Sequence, residues 1–323
     1  MKKITLLLIL VFIASNLSAQ ITKTKIAEKK EIRNKEPYDS LQNFLGKDVY
    51  KYLNQDLYLI EKSKGLRKYG YDNFMKNYLY KGFNEEKDNV YKCCDGFNSK
   101  YEDLKGKYFK VLAIHKHPRA DVEEAIYGNT YYLELEEKES KDKVYFEYST
   151  EFKHIFPFLV VGFYEKEKKR IVGNEFVFKN NTLKVSSGSG LDIETGKPLT
   201  IKTGDKWKIV DLTIEEKYYN LAIIVVNSLG EKTSVSYDTA FNERSYAFTV
   251  EKADKLKQRF GKENFYNILQ GKVKIGMTKE MCELSWGLPK DINKTLTNKS
   301  SSEQWVYEEN YLYFDNNELT AIQ

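Results

Sequence analysis

Between residues 40 and 246, apolar and aromatic side chains recur in short runs, at 107–114, 130–136, 144–148, 158–164, 175–179, 207–210, 220–227 and 234–237. Where polar residues interleave, the period is two. In 130–136, Tyr131, Leu133 and Leu135 fall on one face, and Tyr132, Glu134 and Glu136 on the other. Gly, Asn, Asp and Lys punctuate the runs, which predicts antiparallel strands. Past residue 250 the period lengthens. Val250, Ala253, Leu256, Lys257 and Phe260 are spaced as on a helix that Gly261 stops; Phe265, Ile268 and Leu269 form a second stripe stopped by Gly271. Thr278 then caps a short helix, with Glu280 in its first turn and Met281, Leu284 and Ser285 on one face. Gly287 and Pro289 end it. Residues 293–302 read as a polar loop, and 303–307, 311–314 and 319–323 as a three-stranded meander turning at Asn316 and Asn317.

The expected fold is mostly β with a C-terminal α+β module. Antiparallel small-barrel or sandwich-like units fill 40–246. Two helices, a capped short helix and the three-stranded meander make up 250–323. An internal echo runs through the β-rich part. Gly106-Lys-Tyr-Phe-Lys-Val-Leu112 and Gly204-Asp-Lys-Trp-Lys-Ile-Val210 share a form, and each precedes a Tyr-Tyr pair and two further strands. With the shorter Leu45-Gly-Lys-Asp-Val-Tyr50, this suggests two or three repeats near 41–100, 104–150 and 200–240, each opening like an SH3-like barrel.

The start of the chain changes the setting. Lys2 and Lys3 precede an apolar run to Ala14, and a small polar stretch leads to Ala19. This predicts a signal peptide over 1–19, a flexible charged lead-in over 20–39, and export to the periplasm or the medium. Gln20 stands where a lipid-anchor cysteine would, so no lipid anchor is expected. No later apolar run is long enough to cross a bilayer, so no transmembrane segment is expected. The formal charge of +5 falls to +3 without Lys2 and Lys3, and the bases are interleaved with acids, as in 165–170. That pattern speaks for a solvated surface and against a nucleic-acid partner. Of three cysteines, Cys282 reads as a buried apolar residue on a helix. The adjacent Cys93 and Cys94 bridge only through a tight ring.

Candidate chemistry is sparse. His115 and His117 lie two apart, on one strand face, as a weak metal pair that Asp121 or Glu123 would extend. Residues 186–190 read Ser-Ser-Gly-Ser-Gly, lack the Lys and helix of a phosphate loop, and read as a turn. No Gly-x-Ser-x-Gly elbow occurs, no catalytic residues are assigned, and no cofactor is expected. Tyrosine is abundant, with 25 residues, which suits half-buried sheets and binding faces alike. Trp305, Tyr307, Tyr311 and Tyr313 are the candidate binding residues, Trp305 with Tyr307 on one face and Tyr311 with Tyr313 on another. The plainer reading makes them a cover over the helices.

Gly276-Met277-Thr278, Gly287-Leu288-Pro289, Gln304-Trp305-Val306-Tyr307 and 313–322 give the closing sixth of the chain a family likeness. It resembles the C-terminal module of exported Bacteroidetes proteins. More distantly it resembles the outer-membrane-assembly lipoproteins of the SmpA/OmlA type, with their β-lactamase-inhibitor-protein-like fold. The resemblance implies a scaffold that binds proteins or cell-envelope components and implies no catalytic residues. The expected function is therefore an exported, non-enzymatic binding or structural protein engaging a protein or envelope component. An exported hydrolase of glycan or peptide is the alternative.

Overall fold

The computed structural model describes residues 38–81, 86–185, 190–217, 219–241, 247–296 and 301–323. The expected signal peptide, most of the lead-in and residues 186–189 of the Ser-Gly turn lie outside these. The fold is mostly β, with antiparallel sheets and an α+β C-terminal part.

The first sheet takes β1 (Asp56–Leu59), β2 (Phe74–Met75), β5 (Tyr108–Lys116), β6 (Thr130–Glu137), β7 (Lys143–Ser149) and β8 (Phe158–Val160). β3 (Cys93–Asp95) and β4 (Asn98–Ser99) form a separate hairpin between them in sequence. The strand order is β2-β7-β6-β5-β1-β8. The alternation read in 130–136 holds: Leu133 and Leu135 enter a core with Phe74, Phe109, Phe146 and Phe158, whose rings meet edge to face. Tyr132 and Glu134 take the opposite face.

The second sheet takes β9 (Glu175–Phe178), β10 (Lys206–Ile214), β11 (Leu221–Val226), β12 (Lys232–Ser236) and β13 (Ala247–Thr249), in the order β12-β11-β10-β9-β13. Its core holds Trp207, Ile209, Ile223 and Val235. Strand for strand it repeats the run β7-β6-β5-β1-β8. The two Gly-led stretches open its equivalent strands, β5 and β10, after glycines with φ of 68° and 87°. In each, the sixth residue after the glycine, Leu112 or Val210, drops out of register as a bulge. The echo is thus one of open sheets. No sheet among the described residues closes into a barrel, and stretches 41–100 and 104–150 contribute to the same sheet.

In the 158–164 run, only the first residues are strand. Val161–Ile171 is a helix burying Phe163, Glu167 and Ile171 at every fourth position. The Lys- and Glu-rich run that follows supplies good helix formers, and their propensity overrides the strand signal of the apolar start. Glu167 is held by the Arg170 guanidinium at 2.6 Å and by the Tyr237 hydroxyl at 2.6 Å. The helix Val250–Leu269 breaks at Gly261, where φ is 78°. Its Ala253 and Leu256 pack with Val177 and Phe248 of the second sheet, so packing runs on across the change of period near residue 250.

The closing sheet has four strands rather than three: β14 (Asp291–Leu296), β15 (Ser301–Val306), β16 (Tyr311–Asp315) and β17 (Glu318–Ile322). β14 occupies much of the expected loop. All six of its residues are exposed, so it shows no alternation, and backbone pairing with β15 alone defines it. The helix Lys279–Trp286 starts where expected, the Thr278 hydroxyl accepting the Met281 N–H at 3.3 Å. It ends at Gly287, whose φ of 86° and ψ of −173° are reserved for glycine. Gly287→Val should lower the unfolding free energy by about 1–3 kcal/mol; an unchanged midpoint in a urea titration would contradict this. Among the described residues no helix is long and apolar enough to cross a membrane.

Candidate functional site

The face of the first sheet that turns away from its core is lined with rings. Register places His115 opposite Tyr132, Tyr132 opposite Glu147, and Glu134 opposite Tyr145. The segment after β2 lays Tyr78 over this face. Tyr78 stacks on His115 with centroids 4.7 Å apart, and meets Tyr145 at 4.9 Å and Tyr132 at 5.4 Å. The row continues to His117, 5.6 Å from Tyr132, and ends where His117 lies flat on Tyr127 at 3.9 Å and 4°. Tyr127 comes from the short helix Glu124–Tyr127 in the β5–β6 connection.

Beside this row opens a cleft of about 950 Å³. Residues 71–75 and 78–81 line one wall, 97–99 of the β3–β4 hairpin another, and 117–119 with Ile126 and Tyr127 a third; Thr130, Tyr132 and Glu147 also line it. Phe97, 70% exposed, stands at the hairpin turn, and Leu79 and Ile126 are exposed on the other two walls. Cys93 and Cys94 are joined as a disulfide in the same hairpin, and Cys93 pairs with Ser99. Cys282 is free and buried, and burial pushes its thiol up to about 12, which leaves it unreactive.

The polar groups of the cleft are already oriented. The Arg119 backbone N–H donates to His117 Nδ1 at 3.2 Å, so a neutral His117 carries its proton on Nε2. Burial, aided by the nearby Arg119 charge, pushes the His117 pKa down and keeps the ring neutral. The Tyr132 hydroxyl donates to Glu147 Oε2 at 3.3 Å. The lining includes two acids, Asp72 and Glu147, and two bases, Lys81 and Arg119.

His115 and His117, the weak metal pair, are each engaged separately in this geometry. His115 Nε2 is bonded to Glu134 at 2.9 Å, and His117 is stacked and capped as above. Asp121 pairs with Lys116 at 2.6 Å, and Glu123 pairs with Arg119. Each group has a separate partner. Among the described residues no cluster of three or more His, Cys, Asp or Glu could hold a metal ion.

The four C-terminal aromatics do not form one surface. Trp305 is buried against Phe314 at 4.7 Å, and Tyr307 packs on Trp286 while its hydroxyl donates to the Gly287 carbonyl at 2.9 Å. Tyr311 and Tyr313 lie on the other face, paired with Val306 and Gln304. Tyr313 is tied to Gln304 at 3.0 Å and Gln323 at 2.7 Å. The residues missed in sequence are Tyr78, Phe97, Tyr127 and Tyr132. For Tyr132 the signal is an aromatic on a strand face that should be polar; Tyr78, Phe97 and Tyr127 lie outside the strands and carry no such signal. Comparison with known protein families, curated proteins and solved structures finds no match to this chain.

Proposed function

We propose that this chain is an exported, non-enzymatic binding protein of the bacterial cell envelope, engaging a protein or envelope component through the cleft on the first sheet. One observation carries the reading: a row of rings from His115 to Tyr127, locked together by stacking, forms a rigid floor beside a cleft with exposed Leu79, Phe97 and Ile126 at its walls. Fixed aromatic surface binds at low entropic cost. Within the lining His117 is clamped and neutral, an arrangement that presents a donor and is ill placed to act as a mobile base. Export rests on the residue pattern of 1–19, and the closing module is taken as a scaffold of the β-lactamase-inhibitor-like kind.

The second reading, a hydrolase of glycan or peptide, draws on Asp72 and Glu147, two carboxylates lining one cleft. Incubating the purified protein with envelope extract separates the two. Binding predicts retention of an intact envelope component and loss of that retention in Tyr127→Ala. Turnover of a glycan or peptide that Glu147→Gln abolishes would overturn it in favour of the hydrolase.

A further inference from the structure

Resting on the binding reading, we infer that the cleft takes a neutral, hydroxyl-rich glycan chain. Three features of the lining select this chemistry. The first is charge. Asp72 and Glu147 stand against Lys81 and Arg119, and counting Glu123, which pairs with Arg119, leaves one net negative charge, which repels a polyanion and is too little to gather a polycation.

The second is the mode of contact. An extended peptide is usually held by backbone pairing to a free strand edge. At the cleft that edge is closed. The far side of β2 is paired, Met75 bridging Val90, the Lys76 N–H donating to the Asn89 carbonyl and the Tyr91 N–H to the Phe74 carbonyl. Recognition must therefore come from side chains.

The third is what those side chains offer. Ring faces suit the apolar C–H face of a pyranose, and Phe97 stands exposed at the mouth to supply one. Sugar hydroxyls both donate and accept, and the lining meets them with both roles. The His117 Nε2–H is a donor, the Glu147 carboxylate is an acceptor, and the Tyr127 hydroxyl, which accepts from Arg119 Nη1 at 3.4 Å, keeps its proton to donate. A cleft of about 950 Å³ is at the top of the range for ligand sites, which is room for an oligosaccharide rather than a single ring.

The test is calorimetric titration of the purified protein with neutral oligosaccharides built on glucose, mannose, xylose and N-acetylglucosamine, with uronic-acid oligosaccharides and with unstructured peptides. Phe97→Ala and Tyr127→Ala are run alongside, and their melting curves report folding. The expected result is binding of a neutral oligosaccharide, insensitive to added salt and weakened about tenfold by each variant. If peptides or acidic glycans bind instead, and the same variants weaken them, the glycan assignment falls while the cleft stays a binding site. A neutral glycan whose affinity neither variant changes overturns the assignment by placing the site elsewhere. If no probe binds and retention of envelope material is also unaffected by both variants, the inference and the binding reading fall together.

Discussion

Glu137→Gln should cost the fold about 3 kcal/mol at neutral pH, and the difference from wild type should shrink as pH falls from about 4.5 towards 2. The Glu137 side chain is 1% exposed. Burial alone would raise its pKa. The Lys92 ammonium at 2.6 Å and the Tyr91 hydroxyl at 3.0 Å outweigh burial and hold the carboxyl down at about 2, and Lys107 lies 3.3 Å from the other oxygen. A carboxyl with a depressed folded pKa binds its proton more weakly folded than unfolded. Its stabilisation is complete above the ordinary value of 4.5 and is lost as pH falls from there towards about 2. The amide keeps the shape and loses the charge, leaving Lys92 without its counter-ion and Lys107 with Glu139 alone. Urea titrations of both proteins at several pH values check this. Parallel stability curves between pH 5 and 2 would show that Glu137 is not the group responsible.

Lys179→Met should act in the opposite pH range and with the opposite sign. Lys179 follows β9, is 4% exposed, and donates to the Ser285 carbonyl at 3.2 Å. Burial pulls its ammonium down to about 8 from an ordinary 10.5. Below about pH 8 the folded protein carries the full penalty of a buried charge. Between about 8 and 10.5 the unfolded chain holds a proton that the folded chain has released, so stability rises with pH, by up to about 3 kcal/mol. Tyrosines oppose this near the top of the window. Burial raises the pKa of Tyr52 and Tyr71, so their unfolded forms ionise first and stability falls above about pH 10. The difference between wild type and Lys179→Met isolates the lysine. It should narrow from about pH 8 upward, the methionine variant being the more stable at pH 7 and the difference closing only as pH passes 10.5. A pH-independent difference would refute the assignment.

Sequence pattern served best where one face of an element is apolar and the other wet. Leu133 and Leu135 announced β6, and Thr278 and Gly287 bounded their helix, because local chemistry decides both. It failed at β14, where no side chain is buried and only pairing with β15 makes a strand. It failed again at Val161–Tyr164, where the apolar start of a helix looks like the end of a strand. The cleft was beyond it for another reason. Tyr78, Phe97 and Tyr127 sit in segments without a period; the first and last pack on rings that the register of β5, β6 and β7 sets on one face, and Phe97 reaches the cleft on the β3–β4 hairpin. The His115-Lys-His117 spacing did show two imidazoles on the same side. What it left out was the tyrosines that stack on both.

The two sheets with matching bulges bear on how such a cleft arises. The two sheets share one strand order and one bulge position. Their strands correspond, and their connections do not. Residues 60–107 separate β1 from β5, where 179–205 separate β9 from β10; 117–129 join β5 to β6, where only 215–220 join β10 to β11. Tyr78 and Phe97 lie in the first of these longer connections, and Tyr127 lies in the second. The second sheet has the same framework without these insertions. The walls of the cleft thus come from the long connections of the first sheet, and its floor from the strand face that both sheets are built to carry.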